Sequence, residues 1–397
     1  MDITLSKTQQ NIAQEARRFL KKECPPEYVQ EMLKDERGIT DDLWQKMAEM
    51  DWMAMRVPET YGGMGMEQID MSLLLEEMGR AVVPGPFFST VILAGETIMA
   101  AGTDGQKKQY LRAIADGKNL ATLALHEPDG GSDPGYIHMS GIKSGDDYIL
   151  DGTKLYVPDA HLADFIVMPV RTGTTGKPAD SISLFILSAK EKGITISPLP
   201  TMDGTRKLSA VICKGVRLNQ ESILGKLNKG WQPLLQALQR AQVGLCAEAV
   251  GGAQKAMELA SDYAKVRVQY DQPIGSFQAV KHMCAQMFTE TESSRSMLYW
   301  ASWAQDYGTE KEAAIAASSS KSYCADAFTK VAARGIQVLG GTGFTMENEM
   351  HLYLKRAKAN QAALGTSVYH REKVMQLLAS VTNKKNQSGL NRPGEVK

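Results

Sequence analysis

Residues 121–135 read ATLALHEPDGGSDPG and mark the point at which the periodicity of the sequence changes. Before this stretch, apolar residues recur at steps of three and four, which indicates amphipathic helices, and Ser6 is a predicted N-cap of the first. After it come short runs rich in Val, Ile, Leu and Tyr, separated by Gly, Asp and Ser, which are typical of strands. From about residue 223 the helical period returns. The chain is therefore predicted to be an α+β protein.

The changes of period also give the domain boundaries. The predicted units are an N-terminal helical domain (1–120), a middle β domain of barrel or sandwich type (121–222), a C-terminal four-helix bundle (223–382) and a disordered tail (383–397).

Three local patterns refine this organisation. Asp151-Gly152, between DYIL and TKLYV, predicts a two-residue type I′ hairpin turn. The first run of the C-terminal domain is long enough for one helix of more than 30 residues. Because glycine weakens a helix by roughly 1 kcal/mol, Gly251 and Gly252 within it predict close packing against a neighbouring element. Near the end of the chain, ALGT (residues 363–366) breaks one helix with a glycine turn before another begins.

The composition excludes several classes of function. Lys plus Arg and Asp plus Glu both total 45, so nucleic acid is not an expected partner. No apolar run reaches the about 18–20 residues of a membrane span, and the start of the chain, MDITLSKTQQ, lacks a signal-peptide pattern. Five scattered cysteines without a CxxC pair predict free thiols in a reducing compartment, taken to be cytoplasmic. The six histidines lack metal-ligand spacing, so no metal site is predicted.

Two stretches suit a phosphate-bearing ligand. Gly130, Gly131 and Ser132 can bring backbone N–H groups and a hydroxyl to an anion, although an ordinary β-turn is the alternative. Arg267 stands two residues before Gln269 at the end of the long helix and can bind a phosphate with two N–H groups. For Arg267 the alternative is a surface ion pair.

A third stretch is GIQVLGGTGFT, residues 335–345. It is not a P-loop, because no GKS or GKT follows. Gly340, Gly341 and Gly343 permit close approach of the backbone to a ligand, and Gln337 offers an amide. A helix C-cap followed by a loop is the alternative.

Taken together, the order and spacing of these motifs resemble the acyl-CoA dehydrogenase family. The shared pattern is a helical segment, a β segment that opens with EPxxGSD, a K-x-aromatic-V strand, RxQ followed by PIxxFQ, and QxxGGxGF. The resemblance covers roughly residues 3–375. It implies a tetrameric flavoprotein that binds FAD and an acyl-CoA thioester, with an electron-transferring flavoprotein as electron acceptor.

The resemblance assigns two groups of residues to FAD. Tyr156 would cover the flavin face, and Thr366 would contact the pyrophosphate. Arg267, Gln269 and Tyr270 would reach the FAD of a neighbouring subunit. FAD would then bridge two chains, so at least a dimer is implied. Two positions depart from the family: His126 replaces a frequent Thr, and Pro158 replaces a Thr or Ser near flavin N5. The full set is Leu123, Leu125, His126, Gly131, Ser132, Tyr156, Pro158, Arg267, Gln269, Tyr270, Gln337, Gly340, Gly341 and Thr366.

The resemblance also indicates what this chain lacks. In the family a carboxylate takes the α-proton, flavin N5 accepts the β-hydride, and a ribityl hydroxyl and a backbone N–H polarise the thioester carbonyl. That N–H and the usual base belong to one residue, here Leu364, which can supply the N–H but no base. Relatives with the base on the long helix carry it at the position of Ala241, and an Arg beside it is replaced by Gln242.

Two other carboxylates are candidates for the missing base. Glu96 lies seven residues, about two turns, after Ser89 on the helix whose family counterpart lines the acyl cavity. Glu248 lies seven residues after Ala241. For each, a structural ion pair is the alternative. The substrate contacts that the resemblance implies are Ser89, Thr90, Ser132, Ala241, Leu364 and Gly365.

Three functions are compatible with this pattern. The first is an FAD-dependent acyl-CoA dehydrogenase with a displaced or atypical base, acting on an unusual thioester such as a cyclic or branched one, as a homotetramer. The second is a subunit without a base in a heterotetramer with a catalytic paralogue. The third is another flavin reaction on the same scaffold, such as an oxidase or a non-redox lyase.

Overall fold

The computed structural model describes residues 4–174 and 176–388, with side chains to residue 379. The N-terminal domain is helical, as predicted, and Ser6 begins it with a capping box: its Oγ accepts the N–H of Gln9 at 3.2 Å, and Gln9 Oε1 accepts the N–H of Ser6 at 3.0 Å. Its elements are α1 (Lys7–Glu23), α2 (Pro26–Lys34), α3 (Asp41–Glu49), α4 (Gln68–Arg80), a π-helical segment (Phe88–Gly95), α5 (Glu96–Ala101) and α6 (Asp104–Ala115).

The middle domain is one mixed sheet of eight strands. Its strands are β1 (Ala121–Leu123), β2 (Ser140–Ser144), β3 (Asp147–Pro158), β4 (Phe165–Arg171), β5 (Ile182–Ser188), β6 (Ile194–Leu199), β7 (Leu208–Leu218) and β8 (Ile223–Leu224). They run in the order β6-β7-β3-β2-β4-β5-β8, and β1 pairs in parallel with β4. Because β8 pairs with β5, the sheet extends past the predicted boundary at residue 222.

The predicted hairpin turn at Asp151-Gly152 is wrong. These residues lie inside β3, where pairing shifts from Leu150↔Val216 to Gly152↔Cys213, which is a β-bulge. A Cβ on Gly152 would lie 2.8 Å from Met139 Cγ, so the glycine serves close packing at the bulge. The turn occurs at residues 145–146, between β2 and β3. A hairpin turn and a β-bulge can both require glycine at a positive φ, so the Asp-Gly pair is compatible with either.

The C-terminal domain contains three long helices with two shorter ones packed on α9. Its elements are α7 (Trp231–Val266), the hairpin β9 (Val268–Gln269) and β10 (Gln272–Pro273), α8 (Gln278–Tyr307), α9 (Glu310–Leu339), α10 (Met350–Ala362) and α11 (Ser367–Ser388). Helix α11 runs past residue 382, so the predicted tail begins within a helix; residues 389–397 lie outside the described residues.

The two glycines of α7 are required by close packing, as predicted. A Cβ on Gly251 would lie 1.7 Å from the carbonyl oxygen of Glu76 in α4. A Cβ on Gly252 would lie 2.4 Å from the ring of Phe328 in α9. Helix α7 therefore packs closely against both the N-terminal domain and the rest of the bundle. These contacts fix its position relative to both.

One hydrophobic core joins all three domains, and a second lies within the sheet. In β4, Phe165 and Val167 face the shared core, whereas Ile166 and Met168 face the second core. The junction between the sheet and the two helical domains is thus rigid and buried. In the described ranges 4–174 and 176–388, helices of the length and apolarity needed to cross a membrane do not occur.

Candidate active site

A buried ion pair holds the glycine loop that follows β1. Lys154 of β3 is fully buried, and its Nζ lies 2.6 Å from Oε1 of Glu127. Oε2 of Glu127 accepts the backbone N–H groups of His138 at 2.8 Å and Met139 at 3.0 Å. Burial lowers the pKa of Lys154 to about 8, and the carboxylate of Glu127 opposes this shift. Glu127 and Lys154 were part of the sequence pattern, but only the fold reveals that they anchor this loop.

The loop has the backbone geometry of an anion site. Gly130 and Gly131 are left-handed, with φ of 71° and 90°. A Cβ on Gly131 would lie 2.3 Å from the ring of Tyr136, so a side chain is excluded there. Within the described residues, the N–H groups of Gly131 and Ser132 donate to no protein acceptor. Free N–H groups at a left-handed turn suit a phosphate, and the binding of one here stays a prediction.

The start of α11 lies against this loop. The hydroxyl of Tyr369 donates to Oδ1 of Asp133 at 3.3 Å, and Nζ of Lys373 lies 3.3 Å from the same oxygen. Thr366, just before α11, accepts the N–H of Tyr369 on its Oγ1 at 3.3 Å. The start of α11 thus contacts the glycine loop through Asp133, and a pyrophosphate shared by Ser132 and Thr366 stays a prediction.

Strands β1 and β3 form one wall beside the loop. The N–H of Leu155 donates to the carbonyl of His126 at 2.8 Å, and the hydroxyl of Thr122 donates to the carbonyl of Pro158 at 2.6 Å. Between them, Tyr156 sits at a second bulge of β3 with φ of 55° and an exposed ring. A ring held outward at a bulge suits the predicted role of covering a flat cofactor.

Three predicted FAD contacts on this wall are now defined more closely. The side chains of Leu123 and Leu125 are buried in the shared core, so only their backbone atoms are open to a ligand. Burial lowers the pKa of His126, so its ring is neutral at pH 7 and can donate through one nitrogen only. This neutral donor stands where relatives frequently carry a threonine hydroxyl.

Leu364 occupies a left-handed turn between α10 and α11. Its φ is 54°, and that of Gly365 is 104°. A left-handed conformation costs a residue with a Cβ roughly 1–2 kcal/mol, so contacts around the turn must hold it. In the part of the chain that the structure describes, the N–H of Leu364 has no protein acceptor. A free N–H in a fixed turn is what polarisation of a thioester carbonyl requires.

Neither predicted base position, Leu364 or Ala241, carries a carboxylate. The half-buried Leu364 packs against the shared core, and Ala241 is fully buried in α7. Gln242 is also buried, and its Oε1 has no hydrogen-bond partner among the described residues. Leu364, Ala241 and Gln242 therefore carry no charge, and all three are at least half-buried.

The predicted substrate contacts Ser89 and Thr90 are already engaged. Both lie in the π-helical segment and are fully buried. The hydroxyl of Thr90 donates to the carbonyl of Ala121 at 3.0 Å and accepts its N–H at 3.1 Å. The hydroxyl of Ser89 donates to Oδ2 of Asp159 at 2.7 Å. These bonds join the helical domain to the sheet, which argues against hydroxyls that face a substrate.

Asp159 is a buried carboxyl that sequence reasoning missed. Its Oδ1 is buried without a hydrogen-bond partner among the described residues. Burial raises its pKa, while the hydroxyl of Ser89 and the charge of Arg206 oppose the shift. Its only sequence signal was its place directly after Pro158, and a left-handed φ of 51° fits the tolerance of Asp for this region.

The two carboxylates proposed as substitute bases lie in ion pairs. Oε1 of Glu96 lies 3.1 Å from Nε of Arg56, and its Oε2 lies 3.9 Å from Nε of Arg240. Oε1 of Glu248 pairs with Arg206, whereas its Oε2 is buried without a described partner. The geometry favours the structural alternative for Glu96 and leaves one free oxygen on Glu248.

The remaining predicted FAD contacts lie elsewhere on the surface. They are Arg267, Gln269 and Tyr270 around the β9–β10 hairpin and Gln337, Gly340 and Gly341 at the end of α9. All six are exposed. Helix α7 separates Ala241 from its own end at Val266 by about 38 Å, because a helix rises 1.5 Å per residue. The hairpin therefore lies far from Ala241, and its role toward a neighbouring subunit stays a prediction.

Family models match nearly the whole chain. Residues 6–118 match the N-terminal domain of acyl-CoA dehydrogenase, residues 122–216 the middle domain and residues 228–379 the C-terminal domain. The probable acyl-CoA dehydrogenase YngJ of Bacillus subtilis is 32% identical over 94% of this chain and 98% of its own length. The CarC subunit of the caffeyl-CoA reductase-Etf complex of Acetobacterium woodii is 30% identical over 89% and 93%. Butyryl-CoA dehydrogenase from Megasphaera elsdenii has a similar structure, with a TM-score of 0.88, 26% identity and coverage of 96% and 100%.

The chain therefore belongs to the acyl-CoA dehydrogenase family. Members of this family are FAD-dependent oxidoreductases that act on CH–CH bonds. The free N–H groups of Gly131 and Ser132 and the exposed ring of Tyr156 fit such a cofactor. Clusters of side chains able to hold a metal ion are absent from the described ranges.

Proposed function

We propose that this protein is an FAD-dependent acyl-CoA dehydrogenase whose proton acceptor does not occupy either usual position. One observation supports the site above all others: the N–H groups of Gly131, Ser132 and Leu364 have no acceptor among the described residues, and the start of α11 contacts the glycine loop through Asp133. The first two suit the cofactor pyrophosphate, and the third suits the thioester carbonyl. Family membership supplies the reaction class.

The residues of this chain have distinct roles in the proposal. Ser132 and Thr366 bind the pyrophosphate, and Tyr156 covers the ring system. FAD, when bound, supplies the hydride acceptor. The N–H of Leu364 donates to the thioester carbonyl and makes the α C–H more acidic, because charge that develops on the oxygen is stabilised by a preorganised donor. Gly365 gives the carbonyl close access to this turn.

The proton acceptor is the unusual part of the proposal. A general base is worth about 10²–10⁴-fold in rate, so its loss must be offset by another group or by a more acidic substrate. Asp159 joins Glu248 as a candidate, since each has one buried oxygen without a described partner. A displaced acceptor would suit a proton at a different position, as in a cyclic or branched acyl group.

The flavin spectrum of the purified protein tests this function. Anaerobic addition of straight, branched and cyclic acyl-CoAs is expected to bleach the visible flavin band with at least one class. The class that bleaches it identifies the substrate. Bound flavin that no thioester bleaches would exclude autonomous dehydrogenation, and rapid oxygen consumption during turnover would indicate an oxidase instead.

A second candidate function is a subunit without a base in a heterotetramer. The observation that favours it is the joint absence of charge at Leu364, Ala241 and Gln242, where a catalytic subunit would carry a base and its neighbouring arginine. Co-expression with a paralogue that has Glu at either position would then give a stable mixed complex. Activity that appears only in the mixed complex supports this candidate.

The same scaffold suggests partners. Large apolar side chains are exposed on the C-terminal domain at Tyr270, Phe344, Val368 and Met375, where neighbouring subunits could cover them. We infer a tetramer, whether homomeric or mixed.

An electron-transferring flavoprotein is the proposed acceptor, supported by the relative named as a subunit of an Etf complex. The five free cysteines suit a reducing compartment such as the cytoplasm.

Arg267→Ala is expected to lower the FAD content of the purified protein by severalfold, because it removes a predicted phosphate contact across the subunit interface. The measurement is the ratio of flavin to protein absorbance after gel filtration. Lys265→Ala is the matched control, since Lys265 is exposed nearby and pairs with Asp262 at 2.8 Å. An FAD content equal to that of the control would remove Arg267 from the cofactor site.

A further inference from the structure

Helix α9 carries a buried lysine, Lys321, that is not among the residues assigned to FAD or thioester binding. Lys321 is fully buried, yet the only hydrogen bonds of its ammonium among the described residues go to backbone carbonyls. Its Nζ lies 2.9 Å from the carbonyl oxygen of Asn360 and 3.4 Å from that of Gly365. An ammonium rarely stays fully buried without a carboxylate, so these two carbonyls must stabilise it.

The location of these carbonyls explains why a positive charge fits. Asn360 lies in the last turn of α10, where the carbonyl groups lack helical partners and the helix dipole is negative. Lys321 therefore caps the C-terminus of α10 from a different helix. Its second bond reaches Gly365, which lies beyond the helix and directly after Leu364. One ammonium thus ties the helix end to the turn that follows it.

A second donor fixes the same turn from the other side. Nε2 of His370 lies 3.0 Å from the carbonyl oxygen of Leu364. Burial lowers the pKa of His370 to about 4, and the neighbouring charge of Lys321 adds to the shift. The ring is therefore neutral at pH 7, and the contact requires the hydrogen on Nε2. Leu364 and Gly365, both left-handed, are each held through their carbonyl by a buried donor.

We propose that Lys321 is a positioning residue, which caps α10 and locks the turn at Leu364 and Gly365 so that the Leu364 N–H stays directed at the thioester. The effect on substrate rests on the proposed function, whereas the locked turn is a property of the chain itself. Removal of the ammonium leaves two buried carbonyls without their donor and lets a strained turn relax. The N–H of Leu364 is then no longer preorganised.

The charge on Lys321 gives this device a pH dependence. Burial lowers its pKa to about 8, so the ammonium loses its proton just above neutral pH. Other titratable groups that face it are Cys246 on α7, Cys324 and Asp326 on α9, and His370 on α11. A hydrogen bond with Cys246 and burial raise the pKa of Cys324. Burial opposes the change at Asp326, but hydrogen bonds from Ser367 and Gln361 lower its pKa.

The sign of the pH effect separates positioning from stability. Because the pKa of Lys321 is lower in the folded than in the unfolded state, this group makes folding more favourable as pH rises above about 8. The order of the turn should change in the opposite sense, since the neutral amine donates more weakly than the ammonium. A loss of turn order above pH 8 therefore cannot be attributed to the effect of Lys321 on global stability.

The test uses the FAD-loaded protein and two readouts. Hydrogen exchange of the peptide that covers residues 359–370, corrected for intrinsic rates, measures the turn from about pH 7 to about pH 9.5. Flavin spectral change on adding acyl-CoA measures thioester affinity over the same range. The variants are Lys321→Gln, which keeps a neutral donor, Lys321→Met, which keeps none, and Lys330→Met, an exposed control on the same helix.

In the native protein, exchange at Ala363, Tyr369 and His370, whose N–H groups are hydrogen-bonded on either side of the turn, should rise, and thioester affinity should fall about tenfold, as pH rises through about 8. Lys321→Gln should lack this pH dependence, and Lys321→Met should exchange rapidly at every pH when it is compared with the native protein at matched FAD occupancy. Lys330→Met should match the native protein. Flat exchange across the range in the native protein overturns the proposal, even if Lys321→Met fails to fold. If hydrogen exchange around the turn changes with pH as expected but no thioester binds, the positioning role of Lys321 stands and the proposed function fails.

Discussion

Leu364→Glu is expected to raise α,β-dehydrogenation of a straight-chain acyl-CoA by about 10²–10⁴-fold, the usual worth of a general base. Residue 364 lies in a left-handed turn where its N–H has no acceptor among the described residues, and its side chain is only half-buried. A glutamate at this position is therefore not forced into the hydrophobic core. Stopped-flow bleaching of the flavin with a straight-chain thioester is the direct measurement.

Leu364→Gln is the matched control for this variant. Glutamine has nearly the size and polarity of glutamate but cannot take a proton, and it bears the same left-handed backbone cost. A gain in both variants would mean that the loss of leucine, and not the new base, changes the rate. A folded, FAD-loaded Leu364→Glu protein with no gain would mean that residue 364 does not stand at the base position. The assignment of Leu364 would then be wrong.

The order of domains was predictable because periodicity depends on which face of each element is buried. The change at residue 121 and the long helix α7 follow directly from that pattern. The error at Asp151-Gly152 has a local cause. A hairpin turn and a β-bulge both need glycine at an unusual φ, and only the pairing of β3 with β7 distinguishes them. Similarly, a sheet boundary set by two residues of β8 cannot be read from composition.

The site was predictable only where backbone chemistry defines it. Gly130, Gly131 and Ser132 permit an anion loop, but the sequence alone left an ordinary β-turn as the alternative. The buried partners were not predictable, since charged residues far apart in sequence meet only through the fold. Lys154 and Lys321 look like surface lysines in the sequence, and Asp159 looks like a turn residue. Their burial, and hence their shifted pKa values, is a tertiary property.

Asp203→Ala is expected to lower the free energy of unfolding by about 3–5 kcal/mol, because it strands a buried charge. Nε of Arg356 lies 2.8 Å from Oδ2 of Asp203, and their side chains are 1% and 2% exposed. The pair joins the loop between β6 and β7 to α10, and Thr205 is bonded to both partners. Without Asp203 the guanidinium of Arg356 keeps hydrogen bonds only to Thr205 and the carbonyl of Val83, although the charges of Glu248 and Asp159 still act on it.

An exposed Arg–Asp pair in the same protein provides the control for burial. NH1 of Arg217 lies 3.2 Å from Oδ2 of Asp147, but the side chains are 59% and 33% exposed. Asp147→Ala should therefore cost less than about 1 kcal/mol. Urea unfolding at fixed protein and FAD concentrations compares the two variants, since ligand binding to the native state would otherwise shift the midpoint. Equal losses in the two variants would mean that burial does not govern the strength of these pairs.

The double variant Asp203→Leu with Arg356→Met separates the attraction within the pair from the cost of an isolated charge. If the single losses arise mainly from a stranded charge, removing both charges should recover much of the stability lost by either single variant. Additive losses would instead mean that the two residues stabilise the fold through separate contacts. Because α10 leads directly to the turn at Leu364, loss of this anchor should also lower thioester affinity. Recovery of both properties in the double variant would mean that the isolated charge of Arg356, and not the loss of the ion pair, displaces α10 and destabilises the fold.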